Sequence, residues 1–333
     1  MRIPYYSHQT IERDDAEAVL AALQSDYLTQ GPRVREFEQM VAEYVGQKYA
    51  VAVNNGTSAL LAACRAAGML GRPVATTPLT FAATSNAIML AGGRAVFQDI
   101  DETWNMTLPL GAQRILPVDF AGRPCDMDGF RDANPEAVII EDACHALGAI
   151  YKGRHVGADM TCYSFHPVKA ITTGEGGMVT TDSEEYAQRL RQFRDHGRVN
   201  GWVEEPGLNL RMDELSAALG ISQLRKLPRF LDRRREIALR YCEAFNVPFV
   251  EGHAYHLFVM LFPDRDKVRQ RLQEKGITTQ VHYTSLTRHP YYKGQSCPKA
   301  EYFGDHCLSL PIYPTLTDAE VRYVIEAVKH EMP

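Results

Sequence analysis

A regular alternation of short apolar segments with amphipathic helical ones, between residues 49 and 194, most constrains the fold of this chain. The apolar segments are short and rich in β-branched residues, whereas the segments between them repeat apolar residues at helical spacing. Buried strands that alternate with helices are typical of an α/β domain with a mainly parallel sheet. The strand-like segments are YAVAVN, RAVFQDI, RILPVDF, AVIIEDA and MTCYSF, and the helical ones include TFAATSNAIMLAG and EEYAQRLRQFRDHG.

The pattern changes at about residue 231, where strands and helices no longer alternate in the same way. Three helical segments, RRREIALRYCEAF, DKVRQRLQEKG and TDAEVRYVIEAVKHEM, are interspersed with the strand-like segments AYHLFVMLF and ITTQVHY. This order is typical of a smaller α+β unit. We therefore predict a large domain over residues 1–230 and a small C-terminal domain over residues 231–333.

Charge and cysteine content argue against several classes of protein. The 333 residues carry a net charge of −5 without a basic block, which argues against a nucleic-acid partner. Apolar segments are interrupted before they reach membrane-spanning length, and the first residues do not form a signal-peptide pattern, so no membrane partner is expected. The seven cysteines include no CxxC pair. No metal site or disulfide framework is therefore predicted, and a cytoplasmic location is expected.

The segment NNGTSAL, which follows the first strand and opens a helix, is a candidate phosphate site. The first N–H groups of a helix have no acceptor within the helix and lie at its positive end, where they favour an anion. The hydroxyl groups of Thr57 and Ser58 would add two more donors. Asn, Ser and Thr are also the preferred capping residues, so a simple helix cap remains an alternative interpretation.

Asp142 ends the apolar strand VIIED, and ligands of open α/β sheets bind at the carboxyl ends of strands. A carboxylate in such a position needs a cation or hydrogen-bond donors, and a pyridinium nitrogen is one such partner. His145 lies three residues further on and could reach the same ring. The alternative is a helix-capping aspartate beside a core histidine.

Lys169 lies in the small-residue segment SFHPVKAITTGEGG, directly after a predicted strand. A lysine in a dry pocket loses its proton readily and can bind an aldehyde as a Schiff base. Ser164, at the end of the preceding strand, could donate to the same phosphate as Thr57 and Ser58. A solvated surface lysine in a glycine-rich loop is the alternative.

A phosphate site, a carboxylate for a ring nitrogen and a lysine for an aldehyde together describe pyridoxal 5′-phosphate (PLP). The chain resembles the DegT/DnrJ/EryC1/StrS family of sugar-nucleotide aminotransferases, within the aspartate aminotransferase superfamily. The resemblance implies the fold of PLP-dependent transferases of fold type I, and it covers nearly the whole chain. It is carried by LTQGPRVREFE, NNGTSALLAA, PLTFAATSNAI, VDFAGRPCDMDGF, IIEDACHALGA, SFHPVKAITTGEGGMVTTD, LNLRMDELSAALGISQLRKL and LSLPIYPTLTD.

The resemblance implies a role for each candidate that would touch the cofactor. Lys169 would form the Schiff base and later move a proton between the substrate carbon and the cofactor, and Asp142 would pair with the pyridine nitrogen. His145 would lie near the ring hydroxyl. Phe81 would stack on the ring, unless it is a core residue of an amphipathic helix. The phosphate would be held by Thr57, Ser58 and Ser164.

The resemblance also implies a homodimer with shared active sites. Asn209, in the segment LNLRM, would reach the phosphate of the cofactor bound to the partner subunit. Four further residues are candidate contacts to the sugar or the nucleotide, although each could equally be structural. They are Tyr6, Tyr27, His166 and His282.

The implied reaction is transfer of an amino group from L-glutamate to C4 of a UDP-linked 4-keto-6-deoxy-N-acetylhexosamine. YYSHQTI and SFHPVKAITTGEGG are most similar to the branch of the family that serves pseudaminic-acid synthesis. A dTDP- or GDP-linked substrate, or amination at C3, would keep the same chemistry. A dehydratase of the family would have histidine in place of Lys169, and a non-catalytic sensor of sugar nucleotides would not need the lysine. The chain is also shorter than expected for the family, with the missing residues expected around positions 243–256.

Overall fold

The computed structural model describes residues 2–6 and 9–332. Its helices are α1 (Arg13–Leu23), α2 (Pro32–Val45), α3 (Gly56–Ala66), α4 (Ala82–Leu90), α5 (Met127–Ala133), α6 (Glu184–Arg194), α7 (Glu214–Phe245), α8 (Arg265–Glu274), α9 (Pro298–His306) and α10 (Asp318–Lys329). Its strands are β1 (Tyr49–Val53), β2 (Pro73–Thr76), β3 (Arg94–Phe97), β4 (Arg114–Leu116), β5 (Val138–Asp142), β6 (Ile150–Tyr151), β7 (Arg154–His155), β8 (Met160–Ser164), β9 (Gly177–Thr181), β10 (Arg198–Val199), β11 (Trp202–Val203), β12 (Phe258–Leu261) and β13 (Cys307–Leu310).

Seven strands form one central sheet in the order β1-β9-β8-β5-β4-β2-β3. β9 is antiparallel to both of its neighbours, whereas β8, β5, β4, β2 and β3 pair in parallel. The expected α/β fold with a mainly parallel sheet is therefore confirmed. β2 and β9 were not singled out in the sequence. β2 is short, and β9 follows directly from the glycine-rich segment that drew attention to Lys169.

Both faces of the sheet are covered, as its near-continuous apolar strands require. β1 illustrates this, because Val51 and Val53 join the core cluster that includes α3 and α4, while Ala50 and Ala52 join the opposite cluster with α2 and the first half of α7. Successive side chains of a strand point to opposite faces, so one short strand contributes to two cores.

The carboxyl ends of β5 and β8 lie beside each other, because these strands pair in parallel with Asp142 opposite Cys162. The turn from β1 into α3 meets the same edge, since Val53 pairs with Gly177 and Ser164 also pairs with Gly177. The three segments that the sequence singled out for phosphate, ring nitrogen and aldehyde therefore converge at one edge of the sheet.

The C-terminal part has its own core, in which the second half of α7 and helices α8 and α10 pack with the two-stranded antiparallel sheet of β12 and β13. The predicted domain boundary at residues 230 and 231 falls inside α7, which spans 32 residues. The strand expected over residues 277–283 is wrong. This segment makes only isolated bridges, from Ile277 to Ile3 and from Gln280 to Ser309, because it has a different neighbour at each end.

No helix in the described ranges is both long and apolar enough to span a bilayer.

Glu214, the first residue of α7, connects this helix to the start of α2. Its side chain is 1% exposed and accepts hydrogen bonds from the backbone N–H groups of Gly31, Arg33 and Val34, each at 2.9 Å. These are donors that the first turn of a helix cannot pair internally. The negative charge also lies at the positive end of α2.

Replacing Glu214 with alanine is expected to lower the free energy of unfolding by about 2–4 kcal/mol, because buried N–H groups would lose their acceptor. Glu243→Ala, at an exposed position of the same helix, is the control and should change stability by less than about 0.5 kcal/mol. Denaturant titration followed by circular dichroism measures both. Equal midpoints for the two variants would contradict this role of Glu214.

Candidate active site

A cavity of about 420 Å³ opens at the carboxyl ends of β5 and β8, beside the first turn of α3. It is large enough for a cofactor or another small molecule. Eight of the candidates singled out in the sequence line it, and they come from segments far apart in the chain. These residues are Thr57, Phe81, Asp142, His145, Ser164, His166, Lys169 and His282.

Asp142 is 4% exposed, and each of its carboxylate oxygens accepts one hydrogen bond. The hydroxyl of Thr84 donates to Oδ2 at 2.7 Å, and the backbone N–H of Cys144 donates to Oδ1 at 3.1 Å. Thr84 is itself hydrogen-bonded to the hydroxyl of Thr80 at 2.7 Å. The carboxylate is thus fixed in position, and its remaining lone pairs are available to a donor in the cavity.

Two other buried acids lie behind Asp142. Glu141 and Asp119 are both 0% exposed, and one oxygen of each lacks a hydrogen-bond partner among the described residues. Burial raises the pKa of Asp119 to about 7 and, together with the charge of Asp119, raises the pKa of Glu141 well above its usual range. The two acids therefore retain a proton more readily than exposed carboxyl groups do.

The turn into α3 lies in close contact with the end of β8. Asn55 caps the helix by accepting the N–H of Ser58 at 2.8 Å, so the capping role belongs to Asn55. A Cβ atom on Gly56 would lie 2.8 Å from Cβ of Ser164, which shows that these two residues are in contact. Thr57 and Ser164 line the cavity at this point, beside the first N–H groups of the helix. The arrangement suits a phosphate group.

Ser58 is 8% exposed and is not among the described residues that line the cavity.

Lys169 lies in the loop between β8 and β9. The loop is closed at its base by the N–H of Phe165, which donates to the carbonyl of Gly176 at 2.9 Å. The N–H of Lys169 donates to the carbonyl of His166 at 2.8 Å. Burial lowers the pKa of the Lys169 amine, although Cys144 and Asp142 nearby oppose this effect. The amine is therefore a better nucleophile at neutral pH than that of an exposed lysine.

The glycines of the lysine loop are required by packing against protein atoms. A Cβ atom on Gly177 would lie 2.3 Å from the carbonyl oxygen of Asn55, and one on Gly176 would lie 2.1 Å from Oγ1 of Thr173. These two glycines let the lysine loop close on itself and on the turn before α3.

His145 is 8% exposed, and its Nε2 is hydrogen-bonded to the hydroxyl of Tyr283 at 3.2 Å. Its ring lies 4.4 Å from that of His256, centroid to centroid. Burial, with the positive charge of Lys169 next in importance, lowers the pKa of His145 well below its usual value. The imidazole is therefore neutral at physiological pH and can exchange a hydrogen bond without adding charge.

Phe81 precedes α4 and is 61% exposed, so the alternative of a core phenylalanine is wrong. Its ring lies at the wall of the cavity, 6.2 Å from that of Tyr283. An aromatic ring in this position can cover one face of a planar ligand.

His282 is hydrogen-bonded through Nδ1 to the hydroxyl of Ser309 at 2.9 Å, and burial lowers its pKa to about 4. Tyr6 lies next to Lys169 in a smaller adjoining chamber. Tyr27 and Asn209 are exposed and lie outside the described lining of the cavity. His282 and Tyr6 therefore line cavities that Lys169 also lines, whereas Tyr27 and Asn209 lie on the surface of the chain.

Three residues of the site carried no signal in the sequence. Thr84 lies in the first turn of α4, and nothing in TFAATSNAI distinguishes it from other small polar residues. Cys144 contributes a backbone N–H, which any residue could supply. Tyr283 comes from a segment that was predicted as a strand. Its contact with His145 joins positions 138 residues apart, and local sequence pattern does not report such a contact.

Fold and site together define a PLP-dependent enzyme of fold type I. The residues fit this cofactor, because three suitable groups face one cavity. They are a buried carboxylate with free lone pairs, an amine of lowered pKa, and the first turn of α3 in contact with Ser164. The chain belongs to the DegT/DnrJ/EryC1/StrS aminotransferase family, whose sequence profile matches residues 9–329. It is therefore a PLP-dependent sugar aminotransferase, as the resemblance implied.

Two relatives illustrate the similarity in sequence. The spore coat polysaccharide biosynthesis protein SpsC of Bacillus subtilis is 38% identical over 372 positions, which cover 97% of this chain and 96% of that protein. The UDP-4-amino-4,6-dideoxy-N-acetyl-beta-L-altrosamine transaminase of Campylobacter jejuni is 37% identical, with 96% and 95% covered. Because 372 aligned positions exceed the 333 residues of this chain, the alignment includes segments that this chain lacks.

Solved structures agree over almost the full chain. Helicobacter pylori PseC, an aminotransferase of pseudaminic-acid biosynthesis, superposes with a TM-score of 0.94 at 30% identity and covers 99% of both chains. The Streptococcus pneumoniae sugar aminotransferase Spr1654 in its PLP form superposes with a TM-score of 0.92 at 29% identity, with 100% of both chains covered.

Borohydride reduction of the PLP-loaded protein should attach the cofactor to the peptide that contains Lys169, because this amine faces the cavity. Lys169→Ala should lose the visible absorbance, whereas Lys48→Ala, at an exposed lysine, should keep it. Mass spectrometry of the digested protein makes the assignment. A tag on any other lysine would remove Lys169 from this role.

Capture of PLP by the cofactor-free protein should become faster as the pH rises, because the neutral amine is the nucleophile. The pKa of Lys169 is lowered from the ordinary value of 10.5, so the rate should level off below pH 10.5. Stopped-flow absorbance over the neutral and alkaline range measures this. A rate that still climbs through pH 10.5 would show that the amine behaves as an exposed one.

Asp142→Asn should retain bound PLP but slow amino transfer by at least ~100-fold, because a neutral amide cannot stabilise the protonated ring nitrogen. Asp132→Asn removes an exposed carboxylate of α5 and should leave turnover unchanged. Cofactor absorbance and turnover are measured on the same samples. Turnover of Asp142→Asn close to that of the unmodified protein would place the ring nitrogen elsewhere.

Proposed function

We propose that this sugar aminotransferase transfers the amino group of L-glutamate to C4 of a UDP-linked 4-keto-6-deoxy-N-acetylhexosamine. The observation that carries the proposal is the convergence of Lys169, Asp142 and the first turn of α3 on one cavity. Lysine and carboxylate are the groups that amino transfer needs, which argues against a sensor of the same fold. The presence of lysine also argues against a dehydratase with histidine at this position.

PLP, when bound, supplies an aldehyde that carries an amino group and a ring that takes up electrons. Lys169 would hold the cofactor between turnovers, remove a proton from the amino donor and return one to the sugar carbon. Asp142 would hold the proton on the ring nitrogen. Each half-reaction needs a base, and Lys169 would serve both.

The names of relatives support a UDP-linked substrate and amination at C4. The Campylobacter jejuni transaminase is named for a UDP-linked 4-amino sugar, and the Helicobacter pylori structure is assigned to pseudaminic-acid biosynthesis. A dTDP-linked substrate is the second candidate, because the structure of DesI, determined in the presence of its TDP-sugar product, superposes with a TM-score of 0.89 at 30% identity. GDP-linked sugars and amination at C3 remain within the same chemistry.

The test uses protein loaded with pyridoxamine 5′-phosphate and a panel of keto sugars linked to UDP, dTDP or GDP, with the ketone at C4 or C3. In a single turnover, the matching substrate should regenerate the visible absorbance of the aldehyde form fastest. We expect this to be the UDP-linked 4-keto-6-deoxy-N-acetylhexosamine. A faster reaction with a dTDP- or GDP-linked sugar, or with a 3-keto sugar, would overturn the substrate proposed here.

We also propose that the protein is a homodimer in which each active site receives residues from both subunits. Tyr27 and Asn209 are exposed, and both lie near the start of α7, where the N–H of Glu214 donates to the carbonyl of Leu28 at 3.2 Å. Among the described residues, the side chain of Asn209 makes only one long hydrogen bond, in which its Oδ1 accepts from the N–H of Arg211 at 3.4 Å. Local structure therefore does not explain why this residue is an asparagine. A hydrogen bond from its side chain to the phosphate of the partner's cofactor would explain it.

A hybrid dimer tests shared sites. One chain carries Lys169→Ala and the other carries Asn209→Ala, which alone should weaken cofactor retention by roughly 1.5–3 kcal/mol. One site of the hybrid then contains both changes and the other contains neither. At limiting cofactor, activity should exceed that of either parent homodimer. A hybrid no more active than its parents, or a fully active monomer in sedimentation, would contradict the shared site.

A further inference from the structure

A second chamber, of about 210 Å³, adjoins the main cavity and shares Lys169, His282 and Tyr283 with it. We call it the small chamber. Pockets for drug-sized ligands are roughly 300–1,000 Å³, so the small chamber suits a molecule of amino-acid size and is too small for a nucleotide diphosphate. A molecule bound there would lie next to the amine of Lys169.

Arg234 of α7 forms part of the wall of the small chamber and is 5% exposed. Its Nη1 donates to the carbonyl oxygens of Tyr255, His256 and Ile312, at 3.4, 3.3 and 2.9 Å. These three contacts fix one edge of the guanidinium group to the backbone of the C-terminal part.

The opposite edge of the Arg234 guanidinium has no hydrogen-bond partner among the described residues. Nε is enclosed by protein atoms, whereas Nη2 has accessible surface and makes no hydrogen bond within the same ranges. Guanidinium has five N–H donors, and those on Nη2 can donate to a carboxylate oxygen. The residue is therefore anchored through Nη1, and Nη2 can donate to a ligand in the small chamber.

The charges around the small chamber also favour an anion. Its described lining contains no aspartate or glutamate. Burial lowers the pKa of Arg234 to about 10, which leaves the guanidinium charged at neutral pH, and burial lowers the pKa of both His256 and His282. Arg234 is thus a buried positive charge that has no counterion among the described residues, and such a charge is costly until an anion binds.

We propose that the small chamber binds the carboxylate of the amino-acid donor, with Nη2 of Arg234 donating to it while the donor's amino group lies at Lys169. The proposal rests on the proposed function, since it assigns the donor site of the same aminotransferase. It places the donor's carboxylate in the small chamber, apart from the larger cavity that would hold the cofactor.

The two half-reactions test this separately. Loss of visible absorbance on mixing the PLP form with L-glutamate reports the donor step, and recovery of absorbance on mixing the pyridoxamine phosphate form with the keto sugar reports the acceptor step. Arg234→Gln should slow the donor step on the order of 100-fold and change the acceptor step less than about threefold. Arg235→Gln is the control, because Arg235 bonds instead to the carbonyls of Gly148 and His253.

Gln280→Glu provides a second variant that leaves the backbone contacts of Arg234 intact. Gln280 lines the small chamber, and a carboxylate there would pair with Arg234 and repel the donor. The donor step should slow at least ~10-fold, again without an effect on the acceptor step. Calorimetry with glutarate, which has carboxylates but no amino group, should detect binding to the loaded unmodified protein and not to either variant.

A donor step of unchanged rate in Gln280→Glu, or equal slowing of both steps in Arg234→Gln, would overturn the proposal. If Arg234→Gln does not fold, Gln280→Glu and the glutarate titration decide. Failure of the unmodified protein to react with any keto sugar would count against the proposed function alone. The donor step and glutarate binding would still test the small chamber.

Discussion

The buried carboxylate of Asp142 is the constraint on which the site depends. A charge in that position is stable only if donors surround it, and the protein supplies two, from Thr84 and from the N–H of Cys144. This requires β5 to end in the middle of the sheet, with α4 packed so that Thr84 faces the strand end. Two donors do not saturate a carboxylate, so the site retains acceptor capacity directed at the cavity. The nitrogen of a protonated pyridine ring is a donor that would complete it.

Lys169 lies where the two cavities meet, and this position explains why the chain needs both of its parts. The central sheet supplies Asp142, Ser164 and the first turn of α3, which suit the cofactor. The C-terminal part supplies His282 and Tyr283, and α7, which extends from one core to the other, carries Arg234 to the lysine from the opposite side. An amine between a cofactor site and an anion site can act on both substrates in turn without moving far.

The sequence predicted those parts of the fold and the site that local pattern controls. Alternating strands and helices predict the parallel sheet, and strand ends predict where Asp142 and Ser164 lie, because parallel strands bring their carboxyl ends to one edge. Contacts between segments that are far apart in the chain could not be predicted from such patterns. Tyr283 contacts His145 across 138 residues, and the unpaired Nη2 of Arg234 can be recognised only in the structure, where Nη1 is bonded to carbonyl oxygens. The sequence drew attention to the glycine-rich segment around Lys169. The packing of its glycines against Asn55 and Thr173 is visible only in the structure.

The most direct test of the account follows the nitrogen atom itself. Protein loaded with PLP is incubated with ¹⁵N-labelled L-glutamate and the UDP-linked 4-keto-6-deoxy-N-acetylhexosamine, and the sugar product is examined by NMR. We expect ¹⁵N to be bonded to C4 of the sugar and 2-oxoglutarate to form in equal amount. A sugar product without ¹⁵N, or with ¹⁵N at C3, would contradict the proposed reaction.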